Sequence, residues 1–252
     1  MPAVVGLAAA ACVFAGAVGG LYLHRLLPPE HVTKETQEVI RLCTGSLSVL
    51  AALVLGLLIT TARTSSDTTT REVQNFAAEL VILDGVLRDY GPEADAARAR
   101  LRAFAQQFKR DIWPGTQHAP AHPSAPAAGA MLEEVRRMIR SLVPQAIRAQ
   151  QLQLQATQSA AQLLRQRQVL IEQDAPTVQP LILGWAVILV TLIFASFGLN
   201  MPINRVVLMA FLLSALAIGS AVFIIMEIDS PFSGLLVMSD RPMASALAEL
   251  NR

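Results

Sequence analysis

Charge is what this sequence has little of. Only 15% of its 252 residues are Asp, Glu, Lys or Arg, against 53% from the hydrophobic set, and the mean hydropathy is +0.47. A water-soluble domain carries roughly a quarter charged residues, so the deficit must sit in segments that never meet water. The balance of 20 Lys+Arg against 19 Asp+Glu excludes a polybasic nucleic-acid binder. Two cysteines are too few for a disulfide scaffold or a thiolate metal site. Catalytic signatures are missing too: there is no phosphate-cradling Gly-Lys-Ser/Thr loop, no paired-His zinc motif, no nucleophile elbow and no dinucleotide fingerprint. The expectation is no enzyme, no cofactor and no nucleic-acid partner, in a chain whose first partner is the lipid bilayer.

What the sequence does have is four long apolar runs. Residues 3–23 and 42–62 each give 21 positions without a charge, the second bracketed by Arg41 and Arg63. At about 1.5 Å per residue such a run reaches roughly 31 Å, which matches a hydrocarbon core of ~30 Å. A third run covers 181–199. A fourth, 206–226, follows after the short turn Asn200, Met201, Pro202, Ile203, Asn204. No Lys or Arg precedes Arg25, which argues against a cleaved signal peptide.

The predicted fold is all-α, a multi-pass membrane protein with four transmembrane helices and a helical extramembrane domain inserted between helices 2 and 3. Its parts are an N-terminal hairpin at 1–62, a soluble domain at 63–179, a C-terminal hairpin at 180–228 and an interfacial tail at 229–252. Four spans place both termini and the inserted domain on one side. The Lys/Arg bias does not say which side is the cytoplasm, because Arg25, Lys34, Arg41 and Arg205 on the short loops face Arg63, Arg71, Arg165, Arg167 and Arg241 opposite.

Within the inserted domain, Val73, Phe76, Leu80, Leu83, Leu87 and Tyr90 follow the 3-4 spacing of a helix that buries one narrow stripe. Gly91 supplies a C-terminal cap and Pro92 the first turn of the next helix. That helix carries Ala97, Leu101, Phe104, Phe108 and Ile112 on one face and ends at Trp113-Pro114. Residues 114–129 contain four prolines and no charge, the composition of a flexible linker. A third helical region follows from about Met131 to Asp174, interrupted or kinked at Pro144. Its stripe runs through Leu132, Val135, Ile139, Leu142, Ala149, Leu152, Ala156, Leu163 and Leu170. Met243, Leu247 and Leu250 give the tail an apolar face.

Spans 1 and 2 carry small residues every fourth position: Ala8, Cys12, Gly16, Gly20, and Ser48, Ala52, Gly56, Thr60. Such stripes let helices approach closely in lipid. The other use of the second stripe is to face a water-filled pore in an assembled ring. No ionisable residue lies within a span, which argues against a proton-coupled transporter and leaves a passive route open. Four helices are too few to enclose a pore, so conduction requires a homo-oligomer. Glu227 and Asp229 close span 4 and are weak candidates for a cation, with Asp229 or Ser230 capping a short helix as the plainer use. Arg63 leaves the membrane on the side of Glu227, so the two can form an ion pair. His118 and His122 are spaced like metal ligands but sit in the linker, where no helix holds them together. Cys12 and Cys43 lie at different depths and read as packing residues.

Several of these segments together resemble a known family. They are Leu50-Ala51-Ala52-Leu53-Val54-Leu55-Gly56-Leu57-Leu58-Ile59, Leu83-Asp84, Tyr90-Gly91-Pro92-Glu93 and Ile112-Trp113-Pro114, then Phe194-Ala195-Ser196-Phe197-Gly198-Leu199 and Glu227-Ile228-Asp229-Ser230-Pro231-Phe232-Ser233-Gly234. They are similar to the bacterial bestrophin-like membrane proteins. The resemblance implies a bacterial inner-membrane protein with termini and the 63–179 domain in the cytoplasm, and it points to bestrophins, pentameric anion channels of four spans per subunit. No bestrophin neck or calcium-clasp motif matches residue by residue, so no site is carried over. The expected function is an oligomeric, passive, anion-preferring channel with Ser48, Gly56 and Thr60 facing the pore. The alternative is a non-conducting scaffold or regulator that binds a protein partner through Phe76, Leu83, Phe104 and Phe108.

Overall fold

The structure is a computed structural model that describes residues 2–26, 34–113, 126–172, 179–201, 204–229, 232 and 238–252. These residues form α1 (Pro2–Leu26), α2 (Lys34–Tyr90), a 3-10 turn (Pro92–Ala94), α3 (Asp95–Ile112), α4 (Pro126–Ser141), α5 (Ile147–Glu172), α6 (Pro180–Leu199), α7 (Arg205–Ile228) and α8 (Arg241–Leu250). The fold is all-α, with four helices long and apolar enough to cross a membrane: α1, α2, α6 and α7. The chain divides into two compact units, Met1–Ser65 with Pro176–Asp229, and Ser66–Ala175 with Ser230–Arg252. Helix α2 contributes to both.

In the membrane unit, α1 lies against α6 and α7 and buries Gly6, Ala9, Ala10, Val13, Ala17, Gly20 and Leu21. Nothing on that face is bulkier than Leu, so backbones approach closely where glycines meet. A Cβ built on Gly20 would strike the carbonyl oxygen of Ala195, and one on Gly198 would strike that of Ala17. At the other end of α1, a Cβ on Gly6 would lie 2.8 Å from the Gly219 carbonyl oxygen, and one on Gly219 would lie 2.6 Å from that of Gly6. Apolar surface has no water to escape in lipid, so contact of this kind, rather than the hydrophobic effect, holds such helices together. Between these crossings the core is layered. Ala9 joins Leu58, Ala62, Leu183, Ala186, Val222 and Ile225, Val13 joins Ala51, Val190, Ile193 and Ala215, and Ala17 joins Leu21 and Phe211. Asn204 caps α7 by accepting from the Val206 N–H at 3.3 Å.

In the soluble unit, the stripes read from the sequence face one another. Val73, Phe76, Leu80, Leu83 and Leu87 of α2 are fully buried with Leu101, Phe104, Phe108 and Ile112 of α3, Leu132, Val135 and Ile139 of α4, and Ala156, Leu163 and Leu170 of α5. Ring centroids of Phe76 and Phe108 stand 4.6 Å apart, and those of Phe76 and Phe104 6.2 Å apart. Gly91, at φ +114°, makes the turn between α2 and α3 in a backbone region that side chains rarely adopt. Asp84 of α2 then takes Arg98 of α3 in a fork of 3.0 and 3.1 Å. Arg100 reaches Glu134 of α4 at 2.7 Å, and Gln153 of α5 donates to the Ile139 and Leu142 carbonyls at 2.9 and 2.8 Å, satisfying the C-terminal end of α4.

The C-terminal helix α8 docks through Met243, Ala246 and Leu250, with a 2.9 Å ion pair from Lys109 to Asp240 and a 2.8 Å hydrogen bond from Trp113 Nε1 to the Met238 carbonyl. The Lys109 ammonium holds the Asp240 carboxyl below its ordinary range.

One boundary differs from the sequence reading. Helix α4 starts at Pro126, so the last four residues of the 114–129 linker are helical, Pro126 serving at a first turn where proline is favoured. The rest of that linker, with His118 and His122, lies outside the described residues, as do Ser230 and Pro231. The long third region is interrupted at Pro144 as the sequence indicates, giving two helices with the break from Leu142 to Ala146.

Candidate functional site

The face of interest belongs to the membrane-spanning part of α2, the least enclosed of the four spans. Of its apolar window 17% is buried, against 39% for α1 and 28% for α6 and α7. Its inner side is Thr44, Ala51, Leu58 and Ala62, buried, with Ser48, Val54 and Leu55 half-buried. The opposite side, through Val49, Ala52, Leu53, Gly56 and Thr60, is open. A Cβ on Gly45 or Gly56 would meet nothing within 4 Å. Glycine costs a helix interior roughly 1 kcal/mol relative to alanine, and no contact among the described residues accounts for it at either position.

The four-residue rows do not run along one face. Each such step turns a helix by about 40°, so a row of four winds through roughly 120°. Ser48 therefore sits half-buried, while Ala52, Gly56 and Thr60 move out to the open side. The same drift splits the row on α1. Gly16 and Gly20 lie at the crossing with α6, whereas Ala8 and Cys12 face away from this chain's other helices. The row that packs on α1 is instead Gly6, Ala9/Ala10, Val13, Ala17 and Gly20/Leu21, at alternating 3-4 steps. Cys12 and Cys43 are both exposed and free.

The hydroxyls of the span are bonded within the helix. Ser48 donates to the Thr44 carbonyl at 2.7 Å and Thr60 to the Gly56 carbonyl at 2.9 Å. With their protons so used, these oxygens turn lone pairs outward, which suits a weakly polar lining and gives an anion no donor. The next charge along the open face is Arg63. It is seven residues past Gly56, about 20° from it around the helix, and exposed. The sequence reading used Arg63 to bracket the second run, in the Lys/Arg bias and as a partner for Glu227; its place on the open face follows from carrying the 3.6-residue period past the end of the apolar run.

Glu227 and Asp229 close α7 with 3% and 7% exposure. Arg63, Glu227 and Asp229 are each engaged in polar or ionic contact. Among the described residues no three His, Cys, Asp or Glu side chains gather as a metal site would require. Phe76, Leu83, Phe104 and Phe108, read from the sequence as a partner surface, are at most 1% exposed. They are interior because α3 brings its own stripe against that of α2.

Fold and composition together define a multi-pass α-helical membrane protein. The bestrophin-like domain matches residues 11–243, nearly the whole chain, and the chain belongs to that family. It is similar in structure to a bacterial bestrophin homologue from Klebsiella pneumoniae, solved as three single-substitution variants. The TM-scores are 0.63, 0.64 and 0.62 at 13%, 12% and 14% identity, covering 97%, 96% and 97% of this chain and 97%, 96% and 95% of theirs. At such identity the likeness is one of fold. No curated protein matches the chain.

Proposed function

We propose that the protein is a subunit of an oligomeric, passive, anion-preferring channel of the bacterial inner membrane, with its termini and soluble unit in the cytoplasm. The open face of α2, through Val49, Ala52, Gly56 and Thr60, lines the pore in this reading. The observation that carries it is the pair Gly45 and Gly56, which are small without a neighbour among the described residues. A ring that brings α2 of several subunits around one axis gives those positions a reason to be small. The lining is apolar and weakly polar, which permits conduction and gating by wetting without buried charge. Anion preference then falls to Arg63 at the exit, since Ser48 and Thr60 spend their protons on the backbone. The scaffold alternative has lost its binding surface, because the four residues that defined it are core.

Planar-bilayer recording of the purified protein in asymmetric KCl tests the proposal, with Gly56→Trp as control. A reversal potential near that of chloride, abolished in a correctly assembled Gly56→Trp protein, is expected. Conduction that survives in Gly56→Trp removes α2 from the pore.

A further inference from the structure

Within the soluble unit, α2 and α5 each carry a second stripe, turned outward and left open by the described residues. On α2 it runs through Ala78, Ile82, Gly85 and Asp89, at steps of four, three and four. Ile82 is 49% exposed, and a Cβ built on Gly85 would meet nothing within 4 Å, so no packing among the described residues explains a glycine there. On α5 the stripe runs through Ile147, Gln151, Leu154 and Gln158, with Ile147 and Leu154 78% and 62% exposed. Charges of opposite sign stand at the two ends. Asp89 and Glu93 lie where α2 gives way to α3, and Arg140 and Arg148 where α4 gives way to α5. All four are exposed, and none forms an ion pair among the described residues.

We propose that these stripes meet between copies of this chain, α2 of one subunit running antiparallel to α5 of the next. The spacings match in that sense. With Ile82 opposite Leu154, Ala78 falls opposite Gln158, Gly85 opposite Gln151, and Asp89 opposite Ile147 and its neighbour Arg148. The Gln151 side chain fills the place left empty at Gly85, as a knob enters a hole. Burial of Ile82, Ile147 and Leu154 supplies the attraction, and Asp89 and Glu93 against Arg140 and Arg148 fix the register. The occupant is a second copy because both halves of the match belong to this chain. A foreign acidic protein or an anionic lipid surface would use Arg140 and Arg148 and leave Asp89, Glu93 and the glycine idle. The contact joins two different patches, so it is head-to-tail and repeats around a ring. It rests on the oligomeric reading above and names the surface that sets the order of subunits.

Crosslinking of the full chain in detergent tests it, in a background carrying Cys12→Ser and Cys43→Ser, since both native cysteines are exposed and free. Ala78→Cys and Gln158→Cys together, treated with a short bis-maleimide, should give a ladder that runs past the dimer on a denaturing gel. Either cysteine alone should give monomers, because each position faces the other and not itself. Adding Asp89→Arg with Glu93→Arg should cut the ladder roughly tenfold, and Arg140→Glu with Arg148→Glu on top of these should restore it, which a folding defect would not allow. A ladder indifferent to charge reversal, a failed rescue, products that stop at the dimer, or crosslinks from either single cysteine overturn the proposal. Native mass spectrometry of the wild type separates the interface from the reading it rests on. An oligomer whose double-cysteine form gives no ladder overturns this interface alone, and a monomer overturns both.

Discussion

Asp84→Asn is the perturbation whose cost the structure fixes most closely. The Asp84 carboxylate is 1% exposed and accepts from Arg98 at 3.0 and 3.1 Å and from Arg88 at 2.9 Å. Burial alone pushes its pKa up, but hydrogen bonds and charge from Arg98 and Arg88 outweigh that and hold it below the ordinary carboxylate range. Asparagine keeps an acceptor and loses the charge, so Arg98, 13% exposed, is left with only the exposed Asp95 carboxylate at 3.7 Å as counterion. Removing one member of such a pair costs about 3–5 kcal/mol, and the retained acceptor puts this case near about 3. Arg88, 44% exposed, adds only tenths.

For a chain of this size, 1 kcal/mol moves the melting temperature by roughly 2–4 °C, so a fall of about 6–12 °C is expected in circular dichroism melts in detergent. Adding Arg98→Met should make matters no worse, since it removes the stranded charge. The pH dependence has a definite sign. With the folded pKa below the unfolded one, Asp84 contributes its full stabilisation above the unfolded value, about 3.9, and loses it as pH falls toward the folded value. The deficit of Asp84→Asn should therefore be equal at pH 6 and 8 and shrink below about pH 4. A melt within 2 °C of wild type, or strictly additive losses in the double variant, would falsify the assignment.

Three further outcomes follow from other parts of the structure. Gly198→Val should abolish stable assembly of the membrane unit, read as aggregation in size-exclusion chromatography, because its Cβ has no room beside the Ala17 carbonyl. Phe104→Ala empties a fully buried position between Phe76 and Phe108 and should cost about 3–5 kcal/mol in denaturant titration. If the protein conducts, Arg63→Gln should reduce its anion-to-cation permeability ratio while Thr60→Val leaves the ratio unchanged, as Thr60 gives its proton to Gly56; the reverse pattern in bi-ionic reversal potentials would place selectivity on the hydroxyls.

The soluble unit was the more legible half of the chain. A stripe such as Val73, Phe76, Leu80, Leu83 and Leu87 contrasts with charged neighbours, so its 3.6-residue period shows which side must be covered. In the spans that contrast vanishes, since every side of the helix is apolar. Small residues were then the only guide, and taken at strict four-residue steps they wound off the face that meets α6 and α7, joining the exposed Ala8 and Cys12 to Gly16 and Gly20. The close contacts of Gly6 with Gly219 and of Gly20 with Ala195 join residues far apart in sequence, and local spacing holds no trace of them. Other features turned on single side chains. Gln153 reaching the last carbonyls of α4 was one of ten glutamines between residues 145 and 173, and Lys109 meeting Asp240 joined a helix to a tail with no shared period.

The membrane unit divides its helices by how they are held. Helix α1 is fixed to α6 and α7 where backbone meets backbone, at Gly6 with Gly219 and at Gly20 and Gly198 with their partners, and a shift of even 1 Å there brings main-chain atoms into collision. Helix α2 meets that core through Leu55, Leu58 and Ala62, and none of its glycines is used in a close approach. Aliphatic contacts between side chains exchange at small cost as a helix turns or slides, because lipid solvates the exposed face as well as a neighbour does. Within the membrane unit, the span that presents the candidate pore face is thus the one that the other described spans hold least closely. If the protein assembles as proposed, neighbouring subunits set the position of this helix, and residues on the open face, Gly45 and Gly56 first, should control assembly and conduction together.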